Sequence, residues 1–262
     1  MKRNLFFSFC AILLVSVLFL GGCQKQDNTL KVATNAEFAP FEFLNSSNAV
    51  VGFDIDLINE IAAKLNMSVA LDNMEFDGVV AAVQSGVCKV AISGLTITPT
   101  REKSVIFSDS YYSTTQVLIT REGDEVFTGA TKDELDAQLV GKTIGVCAGF
   151  TGQFYVEGDE DSGFAGIADA KTTIFDNISL AITALKNNSI DVIVMDSTVA
   201  KQAVAAAGNE GTQVIDVVLT TEYYAIALNQ KDTELKGKID VALKEIKDSG
   251  KLDELYEKWE VE

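Results

Sequence analysis

The residues of this chain that could do chemistry are concentrated in AISGLTITPTREKSVIFSDSYY, residues 91–112. The pattern reads as a buried strand with a polar tip, a short basic segment, and a second strand ending in two tyrosines. Ser93, Gly94 and Thr96 offer hydroxyls and bare backbone at the strand end, and Arg101 follows within reach of the same spot. Arginine is scarce: after Arg3 only Arg101 and Arg121 remain, and lysine carries most of the ordinary positive charge. A guanidinium presents a planar fork of donors that meets a carboxylate in two parallel hydrogen bonds, which an ammonium cannot do. The combination suits a small carboxylate ligand. The plainer alternative for Arg101 is a salt bridge between structural elements.

Much other chemistry is excluded by composition. The chain has no histidine, which removes Ser-His-Asp and Cys-His nucleophile systems and the commonest metal ligand. No stretch has the form of a Gly-rich phosphate loop, and no cysteine cluster has metal-ligand spacing, so no metal or cofactor is expected. The formal charge of −17 repels nucleic acid and anionic lipid head groups. Four cysteines are too few for the disulfide framework of a small secreted module.

The first 22 residues differ from the rest. Lys2 and Arg3 precede an apolar run over residues 5–20 that closes with Gly21, Gly22 and Cys23. The run is short for a membrane-spanning helix, and its small-residue end fits a cleavage site, so it reads as an export signal. With the signal removed, 240 residues remain, room for two lobes of about 100 residues each. Cys88 and Cys147 are then expected as partly buried thiols in different lobes.

The elements that must position the polar strand tip alternate between strands and helices, the signature of an α/β fold. Strands are expected at residues 30–34, 69–74, 89–93, 143–147, 171–175, 191–195, 213–215 and 223–228. A helix over residues 54–66 carries Ile55, Ile58, Ile61, Ala62 and Leu65 on one face. Closing helices span residues 232–249 and 251–259, with Tyr256 and Trp259 as core anchors. A weak internal repeat supplies the architecture. Phe76-Asp77 starts a helix leading into the strand at 89–93, and Phe175-Asp176 starts another leading into 191–195. The first copy delivers Ser93 and Gly94 at a strand's carboxyl end, and the second delivers Asp196. Ligands of open α/β sheets bind outside those ends, so two such lobes can face each other across a cleft.

Four motifs carry a resemblance: VATNAEFAPFEF at residues 32–43, GFDIDL at 52–57, the segment at 91–112, and GKLDELYEKW at 250–259. Together they resemble the extracytoplasmic amino-acid-binding proteins of ABC importers (family 3 solute-binding proteins, type 2 periplasmic-binding fold), over nearly all of the exported chain and in order. The resemblance implies two α/β lobes joined by two hinge strands: lobe 1 from residues 30–110 and 225–262, lobe 2 from 115–219, and hinges at 111–114 and 220–224. It implies that Arg101, helped by Thr96, grips the ligand's α-carboxylate, and that Asp196, with the Gly94 carbonyl, takes the ammonium. It implies that the turn Gly149-Phe150-Thr151 closes over the carboxylate through its backbone N–H groups, and that Phe38 and Phe76 sandwich the side chain. Ser93 and Asn35 complete the expected site.

Asn35 stands where relatives often carry aspartate, Phe150 makes its turn bulkier than usual, and Cys147 and Met195 replace common polar residues. Glu37, Glu75 and Asp77 remain as possible partners for a basic side chain. The ligand expected from these residues is a polar amino acid, neutral slightly ahead of basic. Residues 20–23 also resemble the lipobox of bacterial lipoproteins, which implies acylation of Cys23, a polar tether over residues 23–29, and anchoring outside the cytoplasmic membrane beside an ABC permease. The protein is expected to be a monomer and not an enzyme. Two other readings stay open: a dehydratase of the cyclohexadienyl type, which needs a catalytic carboxylate in the cleft, and an amino-acid-sensing receptor module.

Overall fold

The computed structural model describes residues 28–261. The segment read as an export signal, Cys23 and most of the expected tether lie outside the described residues.

Two five-stranded sheets with a common plan form the two lobes. In the first, Thr29–Thr34 lies parallel to Ser68–Asn73 on one side and to Val90–Ala91 on the other. The next strand, Ala227–Asn229, arrives from the far end of the chain and runs antiparallel to Val90–Ala91 and to the edge strand Val105–Phe107. In the second sheet, Thr143–Cys147 lies parallel to Lys171–Phe175 and Val192–Asp196, and the antiparallel strands Tyr112–Arg121 and Thr212–Tyr224 follow. In each sheet the three parallel strands thus read second, first, third, and an antiparallel strand from outside that run follows: one from the far end of the chain in the first sheet, and the one just before the run in the second. This is the repeat expected from the sequence. One detail differs: the second repeat helix is Ile178–Lys186, capped by the Asn177 side chain, while Phe175 ends the preceding strand.

Helix Phe53–Lys64 buries Phe53, Ile55, Leu57, Ile58, Ile61 and Ala62, with Asp54 and Asp56 in its first turn and Lys64 in its last, as the helix dipole favours. Taking each of Leu57, Ile58 and Ile61 out of water contributes roughly 1.5–3 kcal/mol. The closing helices Thr233–Asp248 and Lys251–Trp259 pack beside it. The Tyr256 ring stacks on Phe53 at 5.1 Å, and Trp259 Nε1 donates to Asp56 at 2.7 Å, so both aromatics anchor the last helix while staying half-buried. Cys88 and Cys147 are free and buried, one in each lobe.

The two lobes share a ribbon. Tyr112–Arg121 and Thr212–Tyr224 pair in antiparallel register, Tyr112 with Tyr224 and Thr114 with Glu222, and a register shift lies between Ile215 and Thr220. The two strands expected at residues 213–215 and 223–228 are therefore one 13-residue strand followed by the separate Ala227–Asn229. Likewise the strand expected to end in two tyrosines stops at Phe107, and Tyr112 begins the ribbon. Both corrections have one cause: a strand that leaves one sheet for another must bend, and the bend interrupts the two-residue alternation that marks it.

Candidate ligand-binding site

Arg101 is positioned by a single helical turn, Pro99–Glu102. Thr98 caps it by accepting the Arg101 N–H at 3.1 Å, and Pro99 presets the first turn. The turn folds the guanidinium back so that it donates to the Thr96 carbonyl at 2.7 Å and, across the crevice, to the Gly149 carbonyl of the other lobe at 3.0 Å. Its direct partners are carbonyls rather than a carboxylate, so the salt-bridge alternative does not describe it. The rings of Phe76 and Phe154 flank it at 5.5 and 5.8 Å. Burial lowers its pKa to about 10, against the opposing pull of Glu222 and Asp196, so it remains charged at neutral pH.

Asp196 faces it from the second lobe, at the carboxyl end of Val192–Asp196 and the start of helix Ser197–Ala205. It is buried and accepts the Tyr224 hydroxyl. Burial, then the nearby charge of Glu222, raises its pKa to about 7. Glu222 ties the lobes together: its Oε2 accepts the Thr96 hydroxyl at 2.8 Å and the Thr151 hydroxyl at 2.7 Å. Nothing in the sequence singles out Glu222, because the two partners that join the lobes lie 126 and 71 positions away, while its nearby partner Thr220 sits in the same strand.

Seven of the nine expected residues, Phe38, Phe76, Gly94, Thr96, Arg101, Thr151 and Asp196, line one small cavity between the lobes, together with Phe150. Gly94 is required there: its φ is +50°, and a Cβ on it would stand 2.4 Å from the Phe38 ring. Asn35 and Ser93 do not line the cavity. The Asn35 side chain donates to the Met74 carbonyl at 2.8 Å, and its N–H donates to Ser93 Oγ, which in turn donates to Glu42 Oε1, both at 3.0 Å. The two residues are used by the wall behind the site. The turn at 149–151 also differs from expectation: the Gly149 N–H is held by Gln153 Oε1 at 2.8 Å and the Phe150 N–H by the Cys147 carbonyl at 3.2 Å, so neither points to a ligand.

Behind the wall lie two fully buried carboxyl groups. Asp54 Oδ2 accepts the Gly94 N–H and the Tyr111 hydroxyl, each at 2.7 Å. Burial raises the pKa of Asp54 to about 6 and that of Glu42 well above the usual carboxylate range, the two groups interacting directly. Glu42 Oε2 and Asp54 Oδ1 are among the buried atoms without a hydrogen-bond partner, and a proton on Glu42, whose pKa is the more strongly raised, relieves the repulsion between the two carboxyl groups. The pair fixes Ser93 and Gly94 at the strand tip without adding two negative charges beside the cavity.

Exposed carboxylates stand near the site: Asp77 lies beside Gly149, and the charges of Glu37 and Asp176 reach buried Cys147, whose thiol is pushed up to about 12 by burial first, then by Asp196 and these two carboxylates. Glu37 also lines a separate groove beside Trp259, and Glu75 is exposed.

The family model for bacterial extracellular solute-binding proteins, family 3, matches residues 30–262. A protein of Neisseria gonorrhoeae named "Probable histidine-binding protein" is 33% identical over 261 residues, covering 95% of this chain and 93% of its own. An ancestral arginine-binding protein solved bound to arginine superposes with a TM-score of 0.78 at 38% identity, covering 88% of this chain and 98% of its own. The same kind of protein solved bound to glutamine gives 0.77 at 38% identity, covering 88% of this chain and 97% of its own.

Proposed function

The chain belongs to the bacterial extracellular solute-binding proteins of family 3, and we propose that it captures a basic amino acid outside the cell for an ABC importer. The observation that carries this reading is the opposition of Arg101 and Asp196, one from each lobe, on a single cavity. A zwitterion needs a cation for its carboxylate and an anion for its ammonium, and burying either charge alone is costly. Thr96 and Gly94 lie beside those two groups and complete the cradle. Closure works by differential binding: the ligand docks on lobe 1, and Asp196 and Thr151 engage when the ribbon at residues 111–114 and 220–224 bends.

The preference expected from the sequence, neutral slightly ahead of basic, moves to basic. The carboxylates of Glu37, Asp77 and Asp176 near the site favour a cationic side chain, and relatives are named for histidine and arginine. Glutamine is the second reading, supported by the ancestral protein bound to it. Delivery to a membrane permease, with acylated Cys23 holding the protein near it, completes the proposal.

A thermal-shift screen of the exported protein against the twenty amino acids tests it. Arginine, lysine or histidine gives the largest rise, because a ligand at 100 times its Kd adds about 2.7 kcal/mol of stability. A response confined to acidic or apolar amino acids, or none at all, rejects the proposal.

A further inference from the structure

Phe150 belongs to the lobe 2 turn, yet its ring sits among lobe 1 rings. Its centroid is 5.2 Å from that of Phe38 at 86° and 4.5 Å from that of Phe76 at 64°. Both are the edge-to-face arrangement that aromatic pairs prefer. Phe38 and Phe76 are the two rings assigned above to the ligand's side chain, so a residue of the protein already fills the slot between them. The space left among these rings, Gly94, Arg101 and Asp196 is about 10 Å³, about the room one water needs. The backbone of the turn cannot yield easily, since the Gly149 carbonyl is held by Arg101, the Gly149 N–H by Gln153 and the Phe150 N–H by Cys147. The Phe150 side chain can leave by rotation about its own torsions.

We propose that Phe150 is a specificity-determining residue that occupies the side-chain slot between Phe38 and Phe76, so that an amino acid enters only by displacing its ring. The inference rests on the amino-acid-binding reading. A long side chain such as that of arginine must break both ring contacts to lie in the slot, whereas the methyl group of alanine asks for less. Phe150 therefore taxes ligands by the length of their side chains, in competition with the attraction of the nearby carboxylates.

Calorimetry on the wild type and Phe150→Ala, with arginine and with alanine as ligands, tests this. The variant binds arginine about tenfold more tightly, the factor that two lost aromatic contacts amount to, and binds alanine with a smaller gain. Phe150→Leu, which keeps apolar bulk without the ring, falls between. Equal or weaker arginine binding by Phe150→Ala, or an equal gain for both ligands, overturns the proposal. Small-angle scattering without added amino acid gives an independent reading: removing the ring that bridges to Phe38 and Phe76 increases the radius of gyration of Phe150→Ala, and an unchanged radius overturns the proposal. If neither protein binds any amino acid, the functional reading falls, and scattering alone still decides whether Phe150 holds the slot.

Discussion

Replacing Arg101 with alanine weakens amino-acid binding at least about thirtyfold, or about 2 kcal/mol, the lower end of what truncating one partner of a buried charge pair costs. The loss has two sources. The ligand's carboxylate loses a two-pronged donor in a site closed to water, where no solvent replaces it. The positive charge that offsets Glu222 and Asp196 also disappears, which leaves two buried acidic groups beside the ligand's carboxylate. Arg101→Lys separates these sources: it keeps the charge but not the fork, and its affinity lies between wild type and Arg101→Ala. Calorimetry measures all three. Near-wild-type affinity in Arg101→Ala removes this residue from the ligand's carboxylate.

Asp196→Asn carries the second large effect, with a pH signature of its own. In the protein before binding, burial and Glu222 hold the Asp196 pKa near 7, so the side chain is increasingly protonated as pH falls below that value. The ligand's ammonium binds the carboxylate form, and the charge of arginine, the ligand used for this test, does not change between pH 5 and 8. Binding below about pH 7 therefore requires a proton to leave, and the wild-type affinity falls by up to about tenfold for each further pH unit. Asp196→Asn keeps the shape but removes the charge. Its affinity is at least about thirtyfold lower at pH 8, and it loses the pH dependence assigned to Asp196. Calorimetry at several pH values, in buffers of different ionisation enthalpy, reads both the affinity and the released proton. Wild-type binding that is flat from pH 5 to 8, with no proton release, contradicts the role given to Asp196.

What was legible in the sequence follows from how local each feature is. The strands Thr143–Cys147 and Lys171–Phe175 and the helix Lys251–Trp259 fall where the sequence puts them, because short-range pattern and glycine or polar punctuation define their ends. The helix Phe53–Lys64 shifts by only one or two residues, since its apolar stripe is strong. The short helix Ser197–Ala205 has no signature in the sequence: it begins directly after the strand end at Asp196, without a side-chain cap to announce it. Helix Thr151–Glu157 also lacks a side-chain cap, and only the resemblance points to its start. The ribbon joining the lobes was read in pieces because its register shift interrupts the alternation.

The site shows the same division. Arg101 and Gly94 are legible in the motif at residues 91–112, and Asp196 at the strand end that the internal repeat delivers. Ser93 and Asn35 lie in quoted motifs too, but their side chains turn away to satisfy Glu42 and Met74, a choice made by packing across the lobe. Glu222, in the ribbon, takes its meaning from one residue of each lobe, and Phe150 from rings of the opposite lobe. Contacts between distant segments leave no periodic trace in either one.

A crystal structure of the exported protein saturated with arginine tests the central claim most directly. The account predicts the α-carboxylate on the Arg101 guanidinium, the α-ammonium within hydrogen-bond distance of Asp196, and both lobes in contact with one ligand. Arginine lodged instead in the separate groove of about 690 Å³ beside Trp259 and Asn177, with Arg101 and Asp196 untouched, contradicts it.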